Sequence, residues 1–425
     1  MPSLLDLPRE VRDLIIEDVL SAHVYRMPPV APSKSNREDF IDFDHRAWLH
    51  RRGAIYHDQH DTHISTLNSQ VSLLLTNRQI SAETQSMINS LRSRPYILDL
   101  SVQNEVDLYP TWLQVPLVTN CVSTLYVNVR LFGHILSQKD ASHFSGNGGL
   151  PGLHWSFYGL LERFLQYGPA GKKPHGPKMI FHGNIRNVSE GNEPEDRNMT
   201  VQTLILNFES AESELPFPPR NIDYNWWEGR RTYFAWYTED SSERIPREKY
   251  TTRPEWLATF LATEIGGLLS MGYHTAEYGM ILYESIGAIR ILVDGKLTYE
   301  FDIASRLANL RKSDPENCGY VASTIISEER IPLFWKWKKQ TLERRKQLGL
   351  PVKWPRDPEL RERTYNHRNP FFATSMAYIY STFALGKNIF TIAKSITYHP
   401  KVLLGYLKVP KTLTNKKNTE DSRDS

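Results

Sequence analysis

The chain has 425 residues, 40% of them hydrophobic and 23% charged, with a formal net charge of +3. That length and balance exclude an intrinsically disordered or fibrous polymer and allow two or three domains with a sizeable core. Two cysteines, Cys121 and Cys318, exclude a disulfide framework. With Asp6, Arg9, Glu10 and Arg12 interrupting the first apolar run, the sequence reads as an intracellular protein of the cytoplasm or nucleus.

The first element is "LLDLPREVRDLIIEDVL", residues 4–20. Val11, Ile15 and Val19 recur every four residues beside Leu14 and predict an amphipathic helix. Pro8 suits the first turn, Asp6 is the expected cap, and Glu10 complements the positive end of the dipole. A second amphipathic segment follows at "SLLLTNRQISAETQSMI", residues 72–88, where Leu73, Ile80 and Met87 recur every seven residues. It reads as one helix.

Together these two stretches resemble the F-box-like proteins of filamentous fungi. Those proteins begin with a Leu-x-Leu-Pro-x-Glu-hydrophobic-Arg run, and their third helix has an Arg-Gln-hydrophobic and Ala-Glu pattern. Arg78, Gln79, Ile80, Ala82 and Glu83 fit that pattern, while Asn77 stands where cysteine is common. The chain departs from a compact F-box in a polar insert at 21–70, read as loop with local helix. The resemblance implies a protein-binding module at 1–92 that docks on a Skp1-like adaptor of a cullin-type ubiquitin ligase. Leu7, Pro8, Glu10, Val11, Ile15 and Leu20 would line that contact. The competing reading is that the same apolar residues pack on the chain's own body.

Residues 93–330 alternate strand and helix signals. Strands are expected at 96–102, 124–129, 203–208 and 288–295, and helices at 152–168 and 254–272. Asp294-Gly295 between alternating runs signals a hairpin. "TLYVNV" and "TLILNF" share a Thr-Leu-x-x-Asn frame, suggesting βαβ units in a largely parallel sheet. The fold class is therefore α+β or α/β: F-box-like helices, an irregular α/β body of degenerate leucine-rich-repeat-like kind serving as recognition domain, and a C-terminal helical region. The run "DYNWWEGRRTYFAWYTED", 223–240, reads as aromatic strands filling a core, or as a recognition surface if exposed.

Signals for chemistry are sparse. His57, His60 and His63 are spaced by three but sit in the polar insert, and His154 and His182 stand alone near apolar runs. The glycine-rich stretches at 146–152 and 168–178 lack nucleotide-binding spacing. No nucleophile elbow, Walker loop or zinc-protease motif occurs, so the reading is a non-enzyme without metal or cofactor.

Charge is segregated along the chain. Residues 1–330 carry a net of −9, whereas 331–417 hold 18 Lys/Arg against 4 Asp/Glu. A helix is expected over 334–350, starting after Pro332, within a basic helical region at 331–410 and before a disordered tail at 411–425. That basic region supports one alternative function, binding of nucleic acid or another anionic surface through 331–417; the other alternative is a structural or interaction protein without a ligase role. The uncharged run at 371–386 is too short and too diluted by serine, threonine and tyrosine to span a bilayer, so no transmembrane segment is expected.

Overall fold

A computed structural model of the chain describes residues 4–21, 26–39, 55–59, 69–104, 107–133, 152–169, 199–209, 215–219, 235–237, 244–246, 249–272, 275–312 and 327–356. The sequence expectations for His60, His63, His182, Cys318, most of 146–152, 168–178 and 223–240, and everything beyond 356 lie outside these residues. Among the described residues, no helix is long and apolar enough to cross a membrane.

The fold is mixed α+β, built on one six-stranded sheet. Its strands are β3 (Tyr96–Gln103), β4 (Asp107–Gln114), β5 (Cys121–Phe132), β6 (Thr200–Glu209), β9 (Ile286–Val293) and β10 (Lys296–Asp302). Across the sheet they run β10-β9-β6-β5-β3-β4. The inner four are parallel and the two edges antiparallel. The expected parallel strands are thus present, while β4 and its Pro110 lacked a clean signal. Proline donates no ladder bond, and an edge strand tolerates that loss.

The shared Thr-Leu-x-x-Asn frame has a spatial meaning. Thr124 pairs with Thr203, Leu125 with Leu204 and Asn128 with Asn207, so the two frames lie side by side in register. Asn207 then reaches across to the expected hairpin, its Oδ1 accepting from the Gly295 amide at 2.9 Å. Asp294 (φ 48°) and Gly295 (φ 76°) both have positive φ, as a two-residue type I′ turn between β9 and β10 requires.

Alternation along the strands turns Leu98, Leu100, Val127, Leu206, Ile289 and their neighbours to one face. That face carries the main core together with α4 (Gly152–Tyr167), α5 (Pro254–Leu269), α6 (Ala276–Ser285) and α7 (Ile303–Asn309). The parallel strands follow chain order in one direction. Winding never reverses, so this sheet lacks the crevice that forms at the switch point of a doubly wound fold.

The last described helix, α8 (Ser327–Gln347), starts before Pro332 and contains it. Phe334, Trp335, Trp337 and Leu342 join the same core. The domain boundary expected at 330 therefore falls inside a helix of the body. The short strands β7 (Ala235–Tyr237) and β8 (Arg244–Pro246) pair antiparallel, β7 within the aromatic run and β8 just after it.

The polar insert also contributes structure. Within it, β1 (Arg37–Asp39) and β2 (Tyr56–Asp58) form an antiparallel ribbon along the outer edge of β4. Arg37 donates to the carbonyls of Tyr56 (3.0 Å) and Pro110 (2.8 Å) and to Thr111 Oγ1 (2.6 Å). Tyr56 stacks on Tyr109 at 5.0 Å, and the Arg26 amide donates to the Leu113 carbonyl. Polar composition concealed this because an arginine fork and one tyrosine supply the adhesion.

Two glycines provide a paired test of helix packing. A Cβ on Gly279 in α6 would sit 2.2 Å from the Leu268 carbonyl oxygen of α5, whereas one on Gly267 meets nothing within 4 Å. Gly279→Ala is expected to cost about 1–3 kcal/mol by forcing the helices apart. Gly267→Ala should instead stabilise by about 0.4–1 kcal/mol. Urea midpoints of the two variants check both signs.

Candidate docking surface

The N-terminal helix α1 (Arg9–Leu20) packs with α2 (Ser69–Leu74) and α3 (Arg78–Ser93). Pro8, rather than Asp6, occupies the N-cap position of α1, and no side chain caps the helix. The Pro8 carbonyl accepts from the amides of Val11 and Arg12 at 3.1 Å each. The stretch expected as one helix over 72–88 is two. Asn77 breaks it by taking the N-cap of α3, its side chain accepting from the Gln79 and Ile80 amides at 2.9 Å. An asparagine cap has good reason to occupy this position.

Rotation of α1 is set by its inward row. Arg12, Ile16 and Leu20 recur every four residues and are buried, with Ile16 and Leu20 meeting Ile88 and Leu91 of α3 and Leu117 before β5. Full burial of each aliphatic side chain contributes about 1.5–3 kcal/mol. The Arg12 guanidinium forks onto Glu83, Nε to Oε2 at 2.9 Å and Nη2 to Oε1 at 2.5 Å. Its Nη1 donates to the Leu7 carbonyl at 2.5 Å, pulling in the turn that precedes the helix. Hydrogen bonding from Arg12 holds the Glu83 carboxyl down at about 2. The same bond raises the Arg12 guanidinium. Arg94 pairs with Glu17 on the flank.

The row noted in the sequence, Val11, Ile15 and Val19, lies about 100° round the helix from that inward row. It stays open: Val11 is 40% exposed, Ile15 38%, Val19 41% and neighbouring Leu14 67%. Leu4 and Leu5 extend the apolar surface beyond the start of the helix. Of the six residues expected to line a contact, Pro8, Glu10, Val11 and Ile15 are exposed and Leu7 is half-buried. Leu20 is wholly buried in the inward row, so it supports the helix and does not belong to the open face.

A separate interior feature lies between the sheet and helices α4 and α5. It is a cavity of about 100 Å³ whose walls include Leu98, Val127, Leu206, Leu161 and Ile265. Trp112 and Phe164 close one side, their rings 5.5 Å apart. Among the described residues, the polar lining consists of His57, His154, Tyr158 and Arg163. His154 Nδ1 lies 3.7 Å from Glu264 Oε2 on α5. Burial, reinforced by the charges of Arg163 and Arg37, lowers the His57 imidazole well below its usual value. A void of this size left empty costs about 2 kcal/mol. Sequence spacing disclosed none of this, because the lining comes from distant strands and helices. Among the described residues, no group of three His, Cys, Asp or Glu side chains converges for a metal ion.

The basic C-terminal helix is not a uniformly solvated face. Lys338 is fully buried and donates to the Ala308 and Leu310 carbonyls at 2.9 Å each, and burial lowers its ammonium to about 8. Arg345 is fully buried too, donating to the carbonyls of Tyr283, Ile286 and Pro351. Lys338 thereby serves carbonyls at the end of α7, and Arg345 serves those where α6 passes into β9.

Comparison with protein-family models, curated proteins and solved structures finds no match for this chain.

The fork between Arg12 and Glu83 has a pH signature. Glu83 titrates at about 2 instead of 4.5, so its contribution is complete above about pH 4.5 and fades as pH falls toward 2. Glu83→Gln is expected to flatten the acid limb of the stability profile, measured by urea midpoints from about pH 6 down to about pH 3. Arg12→Ala should lower Tm and release the amides of α1 to hydrogen exchange before those of the sheet.

Proposed function

We propose that this chain is an F-box-like interaction protein, in which α1 docks on a Skp1-like adaptor of a cullin-type ubiquitin ligase and the α/β body selects a target. The observation that carries this reading is the open apolar row Val11, Ile15, Val19 with Leu14, presented by a helix held in place from its other side. An apolar surface on a fixed helix is the kind that a partner helix or groove covers. The resemblance at residues 4–20 and 72–88 names the adaptor class, and three packed helices suit a docking module. A one-way array of parallel strands is also compatible with a degenerate leucine-rich-repeat-like body.

The alternative, an anionic-surface binder using 331–417, draws less support. Lys338 and Arg345 are committed to backbone carbonyls of the body.

Capture of a purified Skp1-like adaptor by the full chain tests the proposal. The wild type should retain adaptor, and Leu14→Asp with Ile15→Asp should weaken capture at least about tenfold, since desolvated apolar anchors dominate such contacts. Leu14, 67% exposed, is the fold control: Leu14→Asp alone should weaken capture while leaving the melting temperature near that of wild type. No adaptor retained by the wild-type chain removes the ligase reading.

A further inference from the structure

We propose that the cavity between the sheet and helices α4 and α5 is a binding site for a small carboxylic acid with an apolar body, the carboxylate meeting Arg163 and the body resting on the aliphatic and aromatic walls. Size sets the first limit. A dry apolar cavity of about 150 Å³ accepts benzene, so one of about 100 Å³ takes a short branched chain or a body no larger than a single ring. Such a space is larger than the voids that close packing ordinarily leaves.

Charge sets the second limit. The polar side chains that line the cavity are, among the described residues, His57, His154, Tyr158 and Arg163; the carboxylate of Glu264 stands behind His154 at 3.7 Å and outside the lining. Arg163 is 2% exposed and lines the cavity from α4. A guanidinium carries five N–H donors in a fork and can serve a carboxylate along with other acceptors. The positive field is felt across the cavity end, where Arg163 and Arg37 both disfavour protonation of His57. An acid entering carboxylate-first would therefore find a buried cation, while its hydrocarbon meets Leu98, Val127 and Leu206.

Helical period groups the part of the lining that α4 supplies, while the other walls come from elements distant in the chain. His154, Phe157, Tyr158 and Leu161 recur at i, i+3, i+4 and i+7 and so share one face of α4. Val127 and Leu206 come from facing positions of adjacent parallel strands, paired in register. The site is independent of α1, so it stands or falls apart from the docking reading.

The test compares isovalerate with isovaleramide, which has the same shape without the charge, by calorimetry and thermal shift on the full chain. Isovalerate should raise Tm and bind at least about tenfold tighter than the amide, as a hydrogen bond to a charged group implies. Arg163→Gln should abolish that preference, and Arg163→Lys, which keeps the charge should the first variant fail to fold, should retain part of it. Val127→Phe, which fills the space, should eliminate binding of both. Equal binding of acid and amide, binding that survives Val127→Phe, or no thermal shift at saturating isovalerate would overturn the assignment.

Discussion

A buried arginine between two helices governs how the N-terminal part of this protein meets its surroundings. Arg12 lies in the same row as Ile16 and Leu20, and its fork onto Glu83 makes a charged side chain part of the inward face. Were that row to turn outward, Glu83 would remain in the interior without its cation, which is far costlier than losing an exposed pair. The helix is therefore fixed in rotation, and Val11, Ile15 and Val19 are left open as a consequence. Apolar exposure here follows from an electrostatic constraint.

The body obeys a related economy of polar contacts. Its sheet has one deeply packed face, and the helices that cover that face end in carbonyl groups that need donors. The basic residues of α8 supply them: Lys338 closes the end of α7, and Arg345 gathers carbonyls at the α6–β9 junction and beyond the end of α8. A run rich in lysine and arginine can thus be structural where its period matches the buried side of a helix. Trp337 adds to the same seam, donating to Glu284 at 2.9 Å.

Much of the sheet was legible in the sequence because its strands are short β-branched runs with turn residues between them. β3, β5, β6 and the β9–β10 hairpin fall where alternation and Asp294-Gly295 place them, and α4 and α5 match their apolar periods. The amphipathic row of α1 was legible as well, but its meaning was not. Arg12 looked like an interruption, although its spacing of four from Ile16 and of eight from Leu20 was the available clue. Asn77 read as a departure from a familiar pattern, whereas its role is a helix cap. The cavity left no trace in the sequence, because strands and helices far apart in the chain share its walls. Non-local convergence has no period to detect.

The ribbon of β1 and β2 has a consequence for how the chain matures. An outer strand such as β4 exposes a row of backbone donors and acceptors that invites pairing with another copy. Here the residues that border it, 26–39 and 55–58, precede β4 in the chain. During synthesis that cover leaves the ribosome before the strand it shields, so the edge need never wait uncovered. The insert that interrupts the helical module thereby acts as a guard supplied in advance, while the opposite edge, β10, bears the exposed charges Lys296 and Glu300.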